Sequence, residues 1–127
     1  MKRVIIRSGG PFEDVYGYSR AVRAGDQVHV SGTTARDTDL DGDAYHQARA
    51  ALLIIAAALE EAGASVADVV RTVTYVTDVE DAMLVAKAHR EIFAEIRPAA
   101  TLVQVAALMG GDHVKVEIEA YALTSGL

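Results

Sequence analysis

Laid out as a strand, the stretch Val69 to Thr77 is apolar on both faces: Val69, Val73 and Tyr75 alternate with Val70 and Val76. Leu102, Ala106 and Leu108 oppose Val103, Val105 and Ala107 in the same way. Strands of that kind are buried on both sides. Only two long segments of the chain carry a helical apolar period, and two helices cover one face of one sheet. The other face needs cover from outside, so a second copy of the chain is expected there. The pattern implies oligomerisation without fixing the number of subunits.

The first helical segment begins after Asp43, a capping residue, and carries Tyr45, Ala48, Leu52, Ile55, Leu59 and Ala62 three and four apart. Gly63 supplies its stop. The second runs from Glu80 to Ile96 with Ala82, Ala86, His89, Phe93 and Ile96 on one stripe. Pro98 then turns the chain, because proline lacks an N–H and disfavours helix at the residue before it. Thr101 to Leu108 after that corner reads as a central strand. Arg3–Arg7 reads as a short strand, and Tyr18–Arg23 with Gln27–Ser31 as a hairpin about Ala24-Gly25-Asp26. The closing strand alternates strictly, with Val114, Val116, Ile118, Ala120 and Ala122 inward and Lys115, Glu117, Glu119 and Tyr121 outward. The order β, β-hairpin, α, β, α, β, β predicts a single α+β domain over residues 1–127, with one mixed sheet and two helices on one face.

Whole classes of function are disfavoured. A net charge of −6 gives no basic face for nucleic acid or an anionic membrane. With no cysteine there is no disulfide, thiolate nucleophile or thiolate metal site. His29, His46, His89 and His113 sit at unrelated spacings, so no metal site is expected. His29 reads as an exposed or interfacial strand residue, and His89 as a half-buried helix residue bonded to a neighbour. Asp37, Asp39, Asp41 and Asp43 alternate but lack the glycine and closing glutamate of a calcium loop, so Thr33 to Gly42 reads as a solvated loop. Phosphate-binding glycine loops, G-x-S-x-G and H-E-x-x-H are absent. The apolar runs at Val4 and at Ala48–Ala58 are too short for a leader or a span, so a cytoplasmic protein is expected.

Five short motifs in order carry a resemblance. Gly17-Tyr18-Ser19-Arg20-Ala21-Val22 resembles a G-P-Y-S-Q-A-V segment, and Val30-Ser31-Gly32 a V-S-G. Ala62-Gly63 through Asp68-Val69-Val70 resembles A-G-x-x-x-x-D-V-V. Pro98-Ala99-Ala100-Thr101 stands where P-A-R-[ST] is expected, and Val116-Glu117-Ile118-Glu119-Ala120 matches V-E-I-E-A. Together they resemble the Rid family of reactive-intermediate deaminases, the YjgF-like proteins. The resemblance implies a chorismate-mutase-like fold, a homotrimer whose sheets line a central barrel, and a small-molecule pocket at each subunit interface, with no cofactor.

It also implies site residues. Tyr18 and Gly32 match the substrate-binding pattern, and Glu117 matches the glutamate that helps place the attacking water. Ala100 departs, since the resembled motif puts a carboxylate-holding arginine there. Leu102 points the same way as Ala100 by strand alternation, making that wall of the pocket apolar. Without the arginine, and with Leu102 reducing hydration, Glu117 is expected to hold its proton more tightly than a free glutamate. Its plainer reading is a surface carboxylate paired with Lys115 or Arg71. Three functions follow: an imine or enamine hydrolase with altered substrate preference, a non-catalytic trimer binding a small molecule or protein, and a ribonuclease, against which the acidic balance argues.

Overall fold

In the computed structural model, which describes residues 2–124, six strands form one sheet in the order β1-β2-β3-β6-β4-β5. The strands are β1 (Arg3–Ile6), β2 (Ala21–Ala24), β3 (Gln27–Thr33), β4 (Val69–Val76), β5 (Ala99–Gln104) and β6 (Val116–Leu123). Only β4 and β5 run parallel; the other pairs are antiparallel. Helix α1 (Glu13–Tyr16) is a single turn, whereas α2 (Ala44–Glu61) and α3 (Ala82–Phe93) are the two expected helices.

Each helix boundary has a local cause. Asp43 caps α2 by accepting a hydrogen bond from the His46 N–H at 2.9 Å. At the other end Gly63 takes a left-handed φ of 82°, and the Ala64 N–H reaches back to the Leu59 carbonyl at 2.8 Å. The Arg23 guanidinium also donates to the Ala62 carbonyl at 2.7 Å, placing a cation at the negative end of the helix dipole. Helix α3 stops three residues earlier than its apolar stripe suggests. Arg97 adopts a left-handed φ of 59° immediately before Pro98, and its N–H bonds the Phe93 carbonyl. Its buried side chains are Val85, Ala88 and Phe93, so the stripe is rotated from the expected one.

The helices cover one face. Val116, Ile118, Ala120 and Ala122 of β6 lie under α2 with Val28 and Val30 of β3, against Leu52, Ile55 and Leu59. Gln47 is the polar member of this core, wholly buried and fully used. Its amide donates to the Leu40, Gly42 and His113 carbonyls and its oxygen accepts the Lys115 N–H. It fastens two loops to the helix.

Two expectations about strands change. The strand after Pro98 is not central: β5 ends at Gln104 and pairs only with β4, at the edge of the sheet, and the central position belongs to β6. Strand alternation puts Val69 beside Val73 and Tyr75, but the register of β4 shifts between Val69 and Arg71. Val69 therefore joins Thr72, Thr74 and Val76 on the helix side, while Arg71, Val73 and Tyr75 face the other way. The helix-side slots at Thr72 and Thr74 are filled by threonines, so this strand is less apolar toward the helices than its valine count suggests.

Candidate functional site

The face of the sheet away from the helices carries the polar side chains. Glu117 pairs with Tyr75, and Tyr75 with Val103, so these three form one row across β6, β4 and β5. Glu119 lies one row on and accepts hydrogen bonds from the Tyr121 hydroxyl at 2.7 Å and the Tyr75 hydroxyl at 3.3 Å. Hydrogen bonding to Glu119, with burial and the Glu119 charge, pushes the Tyr121 phenol up to about 12. His29 stacks edge-on to Tyr121 at 5.5 Å and bonds Gln27, as befits a strand residue on this face. Arg71 donates to the Thr101 hydroxyl.

Three of the site residues expected from the sequence come together at one end of this face, joined by a fourth. Between Val30 and Thr33 the pairing of β3 with β6 slips, and Gly32 sits in that irregularity. A methyl group at Gly32 would collide with the Glu117 carboxylate, so glycine here makes room rather than a turn. Arg20, immediately before β2, donates from Nη1 to the Gly32 carbonyl at 2.9 Å and to Thr33 Oγ1 at 2.6 Å. The Arg20 guanidinium carbon lies 5.3 Å from the centre of the Tyr18 ring. Tyr18, Arg20, Gly32 and Glu117 thus form one continuous group. Arg20 is 3% exposed, and its Nε is buried with no hydrogen-bond partner among the described residues.

Glu117 is half-buried, and burial together with the neighbouring Glu119 raises its pKa, while the Arg20 charge pulls the other way. The direction agrees with the expectation, but the causes differ. Leu102 pairs with Thr74 and so lies on the helix side of the sheet, opposite to Glu117. A cation is also present, because Arg20 acts on Glu117. Among the described residues Glu117 forms no ion pair with Lys115 or Arg71. Behind Arg20 lies a second carboxylate, Glu13, buried at the start of α1. Burial pushes the Glu13 carboxyl up, but hydrogen bonds from Ser8 and Gly10, aided by Arg20, carry it below its ordinary value.

Ala100 and Leu102 are not brought to this cluster within one chain. Ala100 pairs with Thr72 and Leu102 with Thr74, both on the helix side, as their shared alternation predicts. Both are exposed. Beside them His89 bonds Thr72 Oγ1 at 2.9 Å, and burial lowers the His89 pKa. His89, Arg90, Phe93, Arg97 and Pro98 line a shallow depression at this end of α3. The expected site residues therefore fall into two groups on opposite faces of the sheet. Among the described residues no group of three or more His, Asp or Glu side chains is placed to hold a metal ion. No helix is long and apolar enough to cross a membrane.

Arg20 was the one member of the cluster that sequence reading passed over. Its signal was present: a charged residue inside an alternating segment, at the glutamine position of the resembled motif.

Known proteins share both sequence and fold. The family described as Endoribonuclease L-PSP matches residues 12–124. A crystal structure of a YjgF/YER057c/UK114 family member from Mycobacterium tuberculosis is 45% identical, covers 97% of this chain and 100% of its own, and superposes with a TM-score of 0.90. Human 2-iminobutanoate/2-iminopropanoate deaminase is 30% identical over 100% of this chain and 93% of its own. Escherichia coli TdcF, crystallised with bound serine, is 30% identical over 95% of this chain and 94% of its own, with a TM-score of 0.77.

Proposed function

This chain belongs to the YjgF/Rid family and has its α+β fold, and from that premise we propose that it hydrolyses a small imine or enamine in a pocket built by two copies of the chain. The observation that carries the reading is the cluster of Tyr18, Arg20, Gly32 and Glu117, in which a half-buried carboxyl with a raised pKa faces away from the helices. Imine deamination is the activity named for the human relative.

The chemistry needs a group that both takes and gives a proton near neutral pH. Glu117 accepts a proton from water as the water oxygen bonds to the imine carbon, and the C=N π pair moves to nitrogen. The nitrogen of the resulting carbinolamine takes a proton, supplied by Glu117. Glu117 then takes the hydroxyl proton as C=O forms and the C–N bond breaks, and passes it to the departing nitrogen, which leaves as ammonia. An enamine enters the same sequence after protonation at carbon. No oxidant, metal or cofactor enters the balance.

Ala100 and Leu102 can reach the same pocket as Glu117 only from another copy, since the sheet separates them within one chain. A ring of three copies, each offering its helix-free face to the next, would bring them there, a reading supported by the incomplete burial of Val73, Tyr75 and Val103 on that face. With Ala100 and Leu102 as one wall, the pocket favours a neutral or differently anchored imine over one held by a β5 guanidinium. The alternative of RNA cleavage finds little support, because Glu117 and Glu119 on this face would repel phosphate.

The test is a coupled assay of carbonyl product from imines generated in situ, with and without a carboxylate, on the wild type and Glu117→Gln. Turnover by the wild type that falls at least a hundredfold in the variant supports the reading. Turnover unaffected by the substitution ends it. Native mass spectrometry showing a stable folded monomer at micromolar concentration ends the shared pocket.

A further inference from the structure

Arg20 is a buried cation with no carboxylate within ion-pair distance among the described residues. Burying a charge is costly unless the surroundings compensate it. What surrounds Arg20 is specific: the Gly32 carbonyl and the Thr33 hydroxyl on Nη1, and the Tyr18 ring face beside the guanidinium. Its Nε has no partner among the described residues. Beyond these contacts two carboxylates feel its charge, Glu13 on one side and Glu117 on the other. Glu13 is already satisfied by the Ser8 N–H, the Ser8 hydroxyl and the Gly10 N–H, and Arg36 stands 3.9 Å away. Among the described residues Glu117 has no such partners, and it lies directly against Gly32.

We infer that Arg20 is the positioning residue for Glu117, holding by two hydrogen bonds the bulged backbone on which that carboxylate rests and supplying the buried positive charge of the site. The two roles use different parts of one side chain. Nη1 fixes Gly32 and Thr33, and with them the slip between β3 and β6 that opens room for the carboxylate. The remaining guanidinium edge supplies the field. The groups facing Glu117 are Arg20 ahead of β2, Glu119 on its own strand and Tyr75 on β4, with Arg71 acting on Tyr75 and Tyr121 farther along the face. Of these, Arg20 is the cation that counters both burial and Glu119. Without it Glu117 would stay protonated to higher pH and could no longer take a proton from water.

The consequence for turnover rests on the hydrolase reading, but the electrostatic claim does not, and the experiment separates them. Glutamate carboxyl carbons are labelled with carbon-13 and titrated by NMR in the wild type, Arg20→Gln and Arg20→Lys, with Glu117 assigned by its loss in Glu117→Gln. Arg20→Gln should move the Glu117 midpoint up by about one pH unit, the effect of one nearby charge in a partly hydrated setting. Arg20→Lys keeps the charge and should hold the midpoint close to wild type, while Glu13, fixed by its own hydrogen bonds, moves less in both. The acid limb of kcat/KM, where turnover exists, should follow the Glu117 midpoint. An unmoved midpoint in Arg20→Gln, or equal upward shifts in both variants, overturns the inference. Should the variants fail to fold, the Arg20 Nε–H resonance of the wild type is followed with pH; it should track the Glu117 titration, and a flat response overturns the inference equally. Wild type inactive on every imine, with the midpoint moving as stated, removes the hydrolase reading and leaves this one.

Discussion

The two faces of β6 are written in alternate residues of one strand, yet they obey different rules. Val116, Ile118 and Ala120 are completely buried under α2 and could exchange places with other apolar groups of similar volume at modest cost. Glu117, Glu119 and Tyr121 on the opposite face are half-buried and hydrogen-bonded or electrically coupled, and the Glu117 and Tyr121 pKa values are raised. Stability resides on the first face and is tolerant of detail. The proposed chemistry resides on the second, where the displacement of one oxygen should change the result. Beneath α2 the helix side is closed within a single chain, and on the other side Val73, Tyr75 and Val103 stay partly or wholly exposed.

Substitutions on the two faces should have opposite signatures. Ile55→Ala empties a fully buried position of α2 and should cost about 2–5 kcal/mol. Denaturant titration should show that loss, with turnover per folded molecule unchanged. Glu117→Gln should do the reverse. Because the folded-state pKa of Glu117 is raised, the penalty for ionising it is absent below the unfolded-state value, grows as pH climbs through the folded value, and then stays level. The variant should therefore gain on the wild type across that window, seen as a rising difference in Tm from acid to neutral pH. A variant less stable at neutral pH would make Glu117 a structural residue after all.

Gly32→Ala sharpens the same contrast at one atom. The added methyl meets the Glu117 carboxylate, not backbone, so the sheet should survive while the carboxylate is displaced. Circular dichroism should be unchanged and turnover should fall on the order of tenfold or more, in line with small misplacements of catalytic groups. Ala100→Arg is the gentlest probe. A guanidinium on β5 adds a charge-assisted pair worth roughly 1.5–3 kcal/mol to substrates bearing a carboxylate, on the order of ten- to a hundredfold in rate or affinity. Neutral imines should gain nothing. Equal rates for the two substrate kinds before and after the change would assign the anchor to another cation.

Sequence alone reached the helix side almost completely. The three-and-four spacing of Ala48, Leu52, Ile55 and Leu59 and the strict alternation of Val116 to Ala122 each encode burial in a local period. Short motifs also single out Tyr18, Gly32 and Glu117, which the fold gathers into one group. It missed what depends on register. The slip between Val69 and Arg71 reverses which side Val69 takes, and no local pattern announces it. The edge position of β5 and the separation of Leu102 from Glu117 follow from pairing between strands distant in sequence. Arg20 stayed hidden because its partners, Gly32 and Thr33, act through backbone position and a single hydroxyl.

The placement of Ala100 has a consequence for how such a protein changes over generations. It sits exposed on an edge strand, bonded to the rest of the fold only through the β4 ladder. Replacements at exposed positions of this kind shift folding free energy by about 0.5 kcal/mol or less. A lineage can therefore exchange an arginine for an alanine there, or restore it, without passing through an unfolded intermediate. Under the proposed function, selection then sees only the change in which substrate is accepted. Glu117 and Arg20, wedged around a glycine, enjoy no such freedom, so preference would be free to drift on β5 while the carboxylate end stays locked.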